Sequence, residues 1–152
     1  MIRAHWTALC TLLALLAGLP AHAADPAGMV KVAKGQVSIE RDGKKLPATV
    51  GSQIEVADRV HTGSDGSVGV TLRDNTLLSA GPNSLIVIDK FAFDNATQDG
   101  NMSIRIRKGT LSVASGKIAK RTPESVDFHT PTSVLGVRGT EFVIEVEGGR
   151  DE

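Results

Sequence analysis

Among the residues that could bind a metal ion, the best candidates by type and spacing are three aspartates at predicted turns: Asp58, Asp65 and Asp74. Carboxylate oxygens at turns suit Ca²⁺, but the spacing matches neither an EF-hand loop nor a calcium-binding nonapeptide repeat. We interpret them instead as turn residues whose carboxylates accept hydrogen bonds from backbone N–H groups two residues further on. The sequence therefore predicts no metal and no cofactor.

Two histidines, His61 and His129, lie outside the first 23 residues. Zinc needs three or four nitrogen or sulfur ligands, and the one cysteine, Cys10, lies near the N-terminus. Nucleophilic catalysis needs a base and an orienting group close to the nucleophile, yet the Ser, His and Asp residues are scattered and no Gly-x-Ser-x-Gly elbow occurs. We predict that the protein is not an enzyme.

Arg138 lies in a glycine-rich stretch, residues 136–140, and has two interpretations. In the first, Gly136, Gly139 and Thr140 form the bulged start of a strand, and the guanidinium donates to backbone carbonyls or to a turn aspartate. In the second, the guanidinium is a bidentate donor to a carboxylate on a partner or ligand. Arg138 is therefore a candidate binding residue.

Basic side chains are densest between residues 105 and 121: Arg105, Arg107, Lys108, Lys117, Lys120 and Arg121. Such clusters are usually solvated faces, and an anionic surface is the alternative partner; on that alternative Arg105 and Arg107 are candidate binding residues. The polar loop 95–101 is either a plain connector or an exposed contact loop, in which case Asn95 and Asp99 are candidates.

The first 23 residues have the three-part layout of a secretory signal peptide: Arg3, an apolar run from Thr7 to Leu19, and Ala21-His22-Ala23. We predict cleavage after Ala23, with an uncleaved anchor as the alternative, no membrane span after cleavage, and a periplasmic or secreted protein. Loss of Arg3 leaves 16 basic against 17 acidic residues, with the two signs interspersed. This charge gives no electrostatic case for nucleic acid.

The remaining chain alternates apolar and polar residues with a period of two, which indicates strands. Examples are Val68 to Leu72, Met102 to Arg107 and Phe142 to Val146, and Asp42-Gly43 predicts a two-residue hairpin. We expect about ten short strands and essentially no helix in one all-β domain. Its predicted inward-facing residues are Val68, Val70, Leu72, Ile86, Ile88, Ile104, Ile106, Leu111, Phe142 and Ile144.

Several motifs resemble the FecR domain of bacterial exported proteins. They run from Gly35-Gln36-Val37 through Asp58, Thr62-Gly63, Asp65-Gly66, Asp74, Gly109-Thr110 and Thr130-Pro131 to the most specific block, Gly136 to Phe142. The chain departs from the family pattern at Ala57 and Asn75, where the family usually has glycine. We take residues 24–34 as a lead-in, 35–147 as the domain and 148–152 as a disordered tail.

The resemblance implies a twisted β-solenoid or roll, with a β-sandwich as the alternative. Well-known members carry a cytoplasmic anti-sigma segment and one transmembrane helix, which we do not find here. The resemblance therefore implies a free-standing exported module that binds a protein or another ligand. It also implies that this module acts as an accessory to envelope signalling. The expected partner is another envelope protein, and the alternative is a carbohydrate or cell-wall ligand.

Overall fold

The computed structural model describes residues 24–148. Within them the chain forms twelve strands, one short α-helix and one 3-10 turn. The strands are β1 (Gly28–Lys34), β2 (Val37–Arg41), β3 (Lys44–Pro47), β4 (Gln53–Ile54), β5 (Arg59–Thr62), β6 (Ser67–Leu72), β7 (Leu77–Ala80), β8 (Leu85–Phe93), β9 (Gly100–Ala114), β10 (Val126–His129), β11 (Val134–Gly136) and β12 (Glu141–Val146). The helix α1 spans Lys117–Arg121, and the 3-10 turn spans Pro123–Ser125.

Nine of the strands form one curled sheet in the order β3-β2-β5-β8-β9-β7-β6-β1-β4, in which neighbouring strands are antiparallel. Along its other side, β9 pairs with β10 in parallel and with β12 in antiparallel orientation, and β11 pairs with β10. The predicted all-β, roll-like fold is confirmed. The short helix was not predicted, because five residues are too few to show a helical period.

The sheet curls because its strands come in pairs that continue one another around a bend. β7 and β8 lie end to end along β9: Leu77 is opposite Ala114, and Phe93 is opposite Gly100. In the same way, β1 and β2 follow each other end to end and lie beside β6 and β5, since β1 pairs with β6 and β2 pairs with β5. The bends lie side by side at Gly35–Gln36, Gly63–Gly66, Gly81–Ser84 and Gly109–Thr110, and we call these residues the corner line.

The corner line divides the sheet into two halves that face each other. Half A contains β4, β1, β6, β7, β12 and residues 109–114 of β9, and half B contains β3, β2, β5, β8, β10, β11 and residues 100–108. One apolar core lies between the halves. A void of only about 10 Å³ is lined from both halves, by Val70 and Leu78 on one side and by Val60 and Ile88 on the other. The core is therefore closely packed.

The predicted inward-facing residues are buried, with one partial exception. Phe142 is half-buried and packs against the core, where its ring meets that of Phe128 edge-on with centroids 5.2 Å apart. The apolar run Leu85 to Ile88 lies on β8, between β5 and β9, as expected for a central strand. The Asp42-Gly43 hairpin also forms, joining Arg41 to Lys44 with positive φ at both turn residues.

Two segments cover the open end of the folded sheet, away from the corner line. Helix α1 follows β9 and inserts Ile118, which is fully buried near Gly100. Residues 137–140 cross from β11 in half B to β12 in half A, and among them Val137 is buried. Both segments thus add apolar side chains where the two halves would otherwise be open to water.

The N-terminal boundary of the domain differs from the prediction. Residues 28–34, which we took as part of a lead-in, form β1, which pairs with both β6 and β4. The predicted signal peptide and residues 149–152 of the predicted tail lie outside the described residues. No helix within 24–148 combines the length and the apolar character needed to cross a membrane.

Candidate interaction surface

The predicted turn residues along the corner line hold neighbouring bends together by hydrogen bonds. The Thr62 hydroxyl donates to Gly81 O at 2.7 Å and accepts from Ser84 N at 2.8 Å. Gly63 N donates to Gln36 O, and Asp65 Oδ1 accepts from Gln36 N at 3.1 Å. Gly66 is buried against Gln36 O, so Thr62, Gly63, Asp65 and Gly66 all have a structural role at the bend.

Gly109 continues the corner line at the bend of β9. Its φ is +89°, in the left-handed region that side chains disfavour. A Cβ built on Gly109 would lie only 2.5 Å from Ser84 Cα, and closer still to the Ser84 hydroxyl. That hydroxyl accepts from Thr110 N at 3.1 Å. Both the backbone angle and the close approach of β8 therefore require glycine at position 109.

Asp58 is fully buried and binds Arg41 rather than a turn two residues on. Its two carboxylate oxygens accept from Arg41 Nε at 2.8 Å and from Arg41 Nη2 at 2.7 Å. A third hydrogen bond comes from Glu55 N at 2.8 Å, and the Glu55 side chain also pairs with Arg41. The hydrogen bond to Asp58 raises the pKa of Arg41 above its ordinary value, so the guanidinium remains charged.

Asp74, the second fully buried carboxylate, ties the β6–β7 turn to the start of α1. Its oxygens accept from Thr76 N at 3.1 Å, as predicted for a turn residue, and from the Thr76 hydroxyl at 2.8 Å. Asp74 Oδ2 also accepts from Ile118 N at 3.3 Å. Because every one of these donors belongs to the chain itself, Asp74 is part of the scaffold.

The two departures from the family pattern both lie at positions of positive φ. Ala57 has a φ of +73° and Asn75 a φ of +67°. Asparagine tolerates this region, whereas alanine has no side-chain group that compensates. The usual glycine of the family is therefore explained by backbone conformation at both positions, and the turn at Ala57 forms without it.

The last motif region, residues 130–140, is different, because nearly all of it is exposed. Val134 is 65% exposed and Leu135 38%, although both are apolar. A Cβ on Gly136 or Gly139 would meet no atom within 4 Å, and Thr140 is exposed. We call residues 130–140 the C-terminal surface segment.

Arg138 lies in this segment with its side chain exposed. No residue within 24–148 forms a hydrogen bond or ion pair with its guanidinium, and residues 137–140 lie outside the strands. The predicted hydrogen bond from Arg138 to a carbonyl or a turn aspartate is thus absent among the described residues. The backbone just before β12 is nevertheless held, because Ser115 N donates to Thr140 O at 2.7 Å and the Ser115 hydroxyl donates to Gly139 O at 3.1 Å. Binding of a partner by Arg138 stays a prediction.

The other predicted arginines, Arg105 and Arg107, lie on β9 rather than in the C-terminal surface segment. Arg105 lies on the outer face of half B and pairs with Asp89 at 3.0 Å, whereas Arg107 is exposed nearer the corner line. Of the remaining basic cluster, Arg121 pairs with Asp99 at 2.7 Å, and Lys117 lies over the Phe93 ring. Acidic and aromatic neighbours thus satisfy part of this cluster, which does not form one continuous basic patch.

The β8–β9 loop is a compact turn at the far end of half B. Asp94 Oδ1 accepts from Ala96 N at 2.7 Å and from Thr97 N at 3.1 Å. The hydrogen bond from Thr97, followed by that from Ala96, lowers the pKa of Asp94. Asn95 is exposed, and Arg107 lies seven positions after Gly100 on β9, a distance of roughly 23 Å along the strand. The loop is therefore remote from Arg107.

Each of the two histidines lies beside a carboxylate. His61 Nε2 lies 3.3 Å from Glu40 Oε2, and His129 Nε2 lies 2.9 Å from Asp127 Oδ1. Neither ring is hydrogen-bonded to a serine or threonine hydroxyl of the described part. No group of three or more metal-binding side chains is found in that part either.

Sequence reasoning missed Val134 and Leu135 as surface residues. Their signal is present in the sequence, because two adjacent apolar residues next to Thr130-Pro131 and before Gly136 do not fit the alternation of a half-buried strand. The structure makes them the three-residue strand β11 together with Gly136, all three exposed. Such a short edge strand buries neither apolar side chain.

The family comparison covers most of the structure described above. The family model for FecR protein matches residues 58–152, which is more than half of the chain. The chain belongs to the FecR protein family. The match begins at the buried Asp58 and includes β5 to β12 and the C-terminal surface segment, whereas β1 to β4 precede it.

Membership of the FecR family implies a role related to signalling at the cell envelope. No curated protein and no solved structure was found to match the chain significantly. The family thus indicates the general role of the protein, and any proposal for how it acts must come from the surface of this chain.

Proposed function

We propose that this FecR-family protein is an exported, non-catalytic interaction module that binds another envelope protein through the C-terminal surface segment. It acts in the periplasm or at the cell surface as an accessory to envelope signalling. The contact consists of the apolar side chains of Val134 and Leu135 and the guanidinium of Arg138.

One observation carries the proposal. Val134 is 65% exposed and Leu135 38%, and Arg138, three positions after Leu135, is exposed with no hydrogen bond or ion pair in the described part of the chain. Arginine is enriched in protein interfaces, and the fully buried centre of an interface is more apolar than the rest of the surface. Asp58, Asp74 and the motif residues of the corner line, by contrast, are held by contacts within the domain.

The geometry is less favourable to a carbohydrate or cell-wall ligand, which is the alternative. Sugar binding usually uses an exposed aromatic ring. Phe93 and Phe128 are buried, and Phe91 and Phe142 are half-buried. No tyrosine occurs in the sequence, and the single tryptophan, Trp6, precedes the proposed cleavage site.

Crosslinking of the tagged protein in its native envelope, followed by mass spectrometry, tests the proposal. Wild type is compared with Arg138→Ala and with Arg107→Ala, a matched control that removes an exposed arginine elsewhere. We expect one stoichiometric protein partner with wild type and with Arg107→Ala, and a loss of at least tenfold with Arg138→Ala.

Other results would replace the proposal. Recovery of glycan or cell-wall fragments alone would establish the alternative, and loss with Arg107→Ala but not with Arg138→Ala would move the contact to the outer face of half B. The mass of the protein recovered from the envelope tests export in the same experiment, because cleavage after Ala23 removes 23 residues.

A further inference from the structure

The sheet ends in four edge strands, and one of them is longer than the others and contains neither lysine nor proline. β4 has two residues and β11 has three, while β3 has four residues that include Lys44, Lys45 and Pro47. Short length, lysine and proline are devices that prevent an edge from accepting another strand. β12 has six residues, Glu141–Val146, with neither lysine nor proline.

β12 also has a free side along its whole length. It pairs with β9 from Glu141 opposite Ala114 to Val146 opposite Gly109, and with no other strand of the described residues. The backbone N–H and C=O groups on its other side are therefore not used in the sheet. An added strand would continue half A.

The outward side chains of β12 select the partner by charge. Glu141, Val143 and Glu145 alternate along the outer face, and Val143 is 63% exposed. An antiparallel second copy centred on Val143 would place Glu141 opposite Glu145, and like charges directly opposite each other are destabilising. A strand with basic residues opposite both glutamates and an apolar residue opposite Val143 avoids this repulsion.

We propose that the β12 edge is a strand-addition site for a segment of another protein with the pattern basic-x-apolar-x-basic. Backbone hydrogen bonds to β12 provide the binding, and the two carboxylates select basic residues four positions apart. The site rests on the proposed function only in that both need a protein partner. It uses neither Arg138 nor the C-terminal surface segment.

The test is a titration of the ¹⁵N-labelled full chain with a synthetic nine-residue peptide, followed by NMR. The peptide has lysine at its third and seventh positions, valine at its fifth and threonine elsewhere. We expect shift changes centred on the amides of residues 141–146. A peptide with glutamate in place of lysine, and one N-methylated at the backbone amides that would face β12, should each bind at least about fivefold more weakly.

Two variants of equal charge change sharpen the test. Glu145→Lys should weaken binding of the lysine peptide at least about fivefold, whereas Glu124→Lys, an exposed glutamate outside β12, should leave it unchanged. Equal binding by Glu145→Lys and wild type, full binding of the N-methylated peptide, or a concentration-dependent dimer through β12 would each overturn the inference.

The Arg138→Ala variant separates this inference from the proposed function. It should bind the lysine peptide as wild type does, even though it loses its partner in the envelope. If the peptide fails to bind while the envelope partner is still lost on Arg138→Ala, the strand-addition site is rejected and the proposed function stands.

Discussion

The corner line and the C-terminal surface segment are both rich in family motif residues, but they use them in opposite ways. At the corner line Thr62, Gly63 and Gly109 are held by hydrogen bonds or by close packing of neighbouring strands. In the C-terminal surface segment Gly136, Arg138 and Gly139 have open space around them. Contacts within the domain explain the residue types of the first region. In the second region the positive φ of Gly139 explains that glycine, whereas no contact within the described residues explains Gly136 or Arg138.

We therefore expect the corner line to serve the stability of the fold and the C-terminal surface segment to serve binding. A substitution at the corner line should act on the stability of the domain, because it changes packing or hydrogen bonds inside it. A substitution of Gly136 or Arg138, which are exposed in the C-terminal surface segment, should leave stability unchanged and act on binding, whereas Val137 in the same segment is buried in the core. The predictions below test whether the two regions separate in this way.

The largest expected effect comes from a matched pair of glycine substitutions. Gly109→Ala should lower the free energy of unfolding by about 3 kcal/mol or more, because it adds a side chain at positive φ and against Ser84. Gly136→Ala meets no neighbouring atom and should change it by less than about 0.5 kcal/mol. Urea unfolding followed by circular dichroism measures both, and equal losses would remove the distinction between the two regions.

Removal of the buried Asp58 carboxylate should have the next largest effect. Asp58→Ala deprives Arg41 of two hydrogen bonds and Glu55 N of one, and should cost about 2 to 3 kcal/mol of stability. Asp65→Ala is the control, because its carboxylate is exposed and accepts from Gln36 N, and should cost about 1 kcal/mol or less. If the unfolding curves show that Asp58→Ala is as stable as Asp65→Ala, then the pair of Asp58 and Arg41 is not part of the scaffold.

Position 57, where this chain has alanine and the family usually has glycine, offers a stabilising substitution. Ala57→Gly relieves a φ of +73° and should raise the free energy of unfolding by about 1 kcal/mol. Thermal unfolding measures the gain. A loss of stability would mean that the unfolded-state entropy of glycine outweighs the strain at this turn.

The smallest expected effect on stability is at Arg138. Arg138→Ala should change the free energy of unfolding by less than about 0.5 kcal/mol, because the side chain contacts solvent rather than the domain. The same unfolding measurement checks it. A larger loss would place Arg138 in the scaffold, and its effect on binding would then be indirect.

The sequence predicted the parts of the fold that depend on alternation. Apolar residues of β6, β8 and β9 point inward because a period of two places them on one face. The hairpin at Asp42-Gly43 was predictable because positive φ is favoured there. α1 was missed because its position depends on long-range contacts of Asp74 with Lys117 and Ile118.

The candidate site was less predictable, for a physical reason. The sequence singles out Arg138, but whether a guanidinium is satisfied depends on where distant acceptors lie after folding. Asp58 illustrates the point, since its partner Arg41 is 17 positions away and was not predicted. Val134 and Leu135 were overlooked, since they were predicted neither as inward-facing residues nor as binding residues.

The most direct test of the account is site-specific photocrosslinking from two valines of equal exposure. A photoreactive residue replaces either Val134, which is 65% exposed in the C-terminal surface segment, or Val50, which is 66% exposed in the turn between β3 and β4. In the native envelope, position 134 should crosslink to a single protein partner and position 50 to none. Equal crosslinking from both positions, or crosslinking from position 50 alone, would contradict the claim that the C-terminal surface segment is the contact surface.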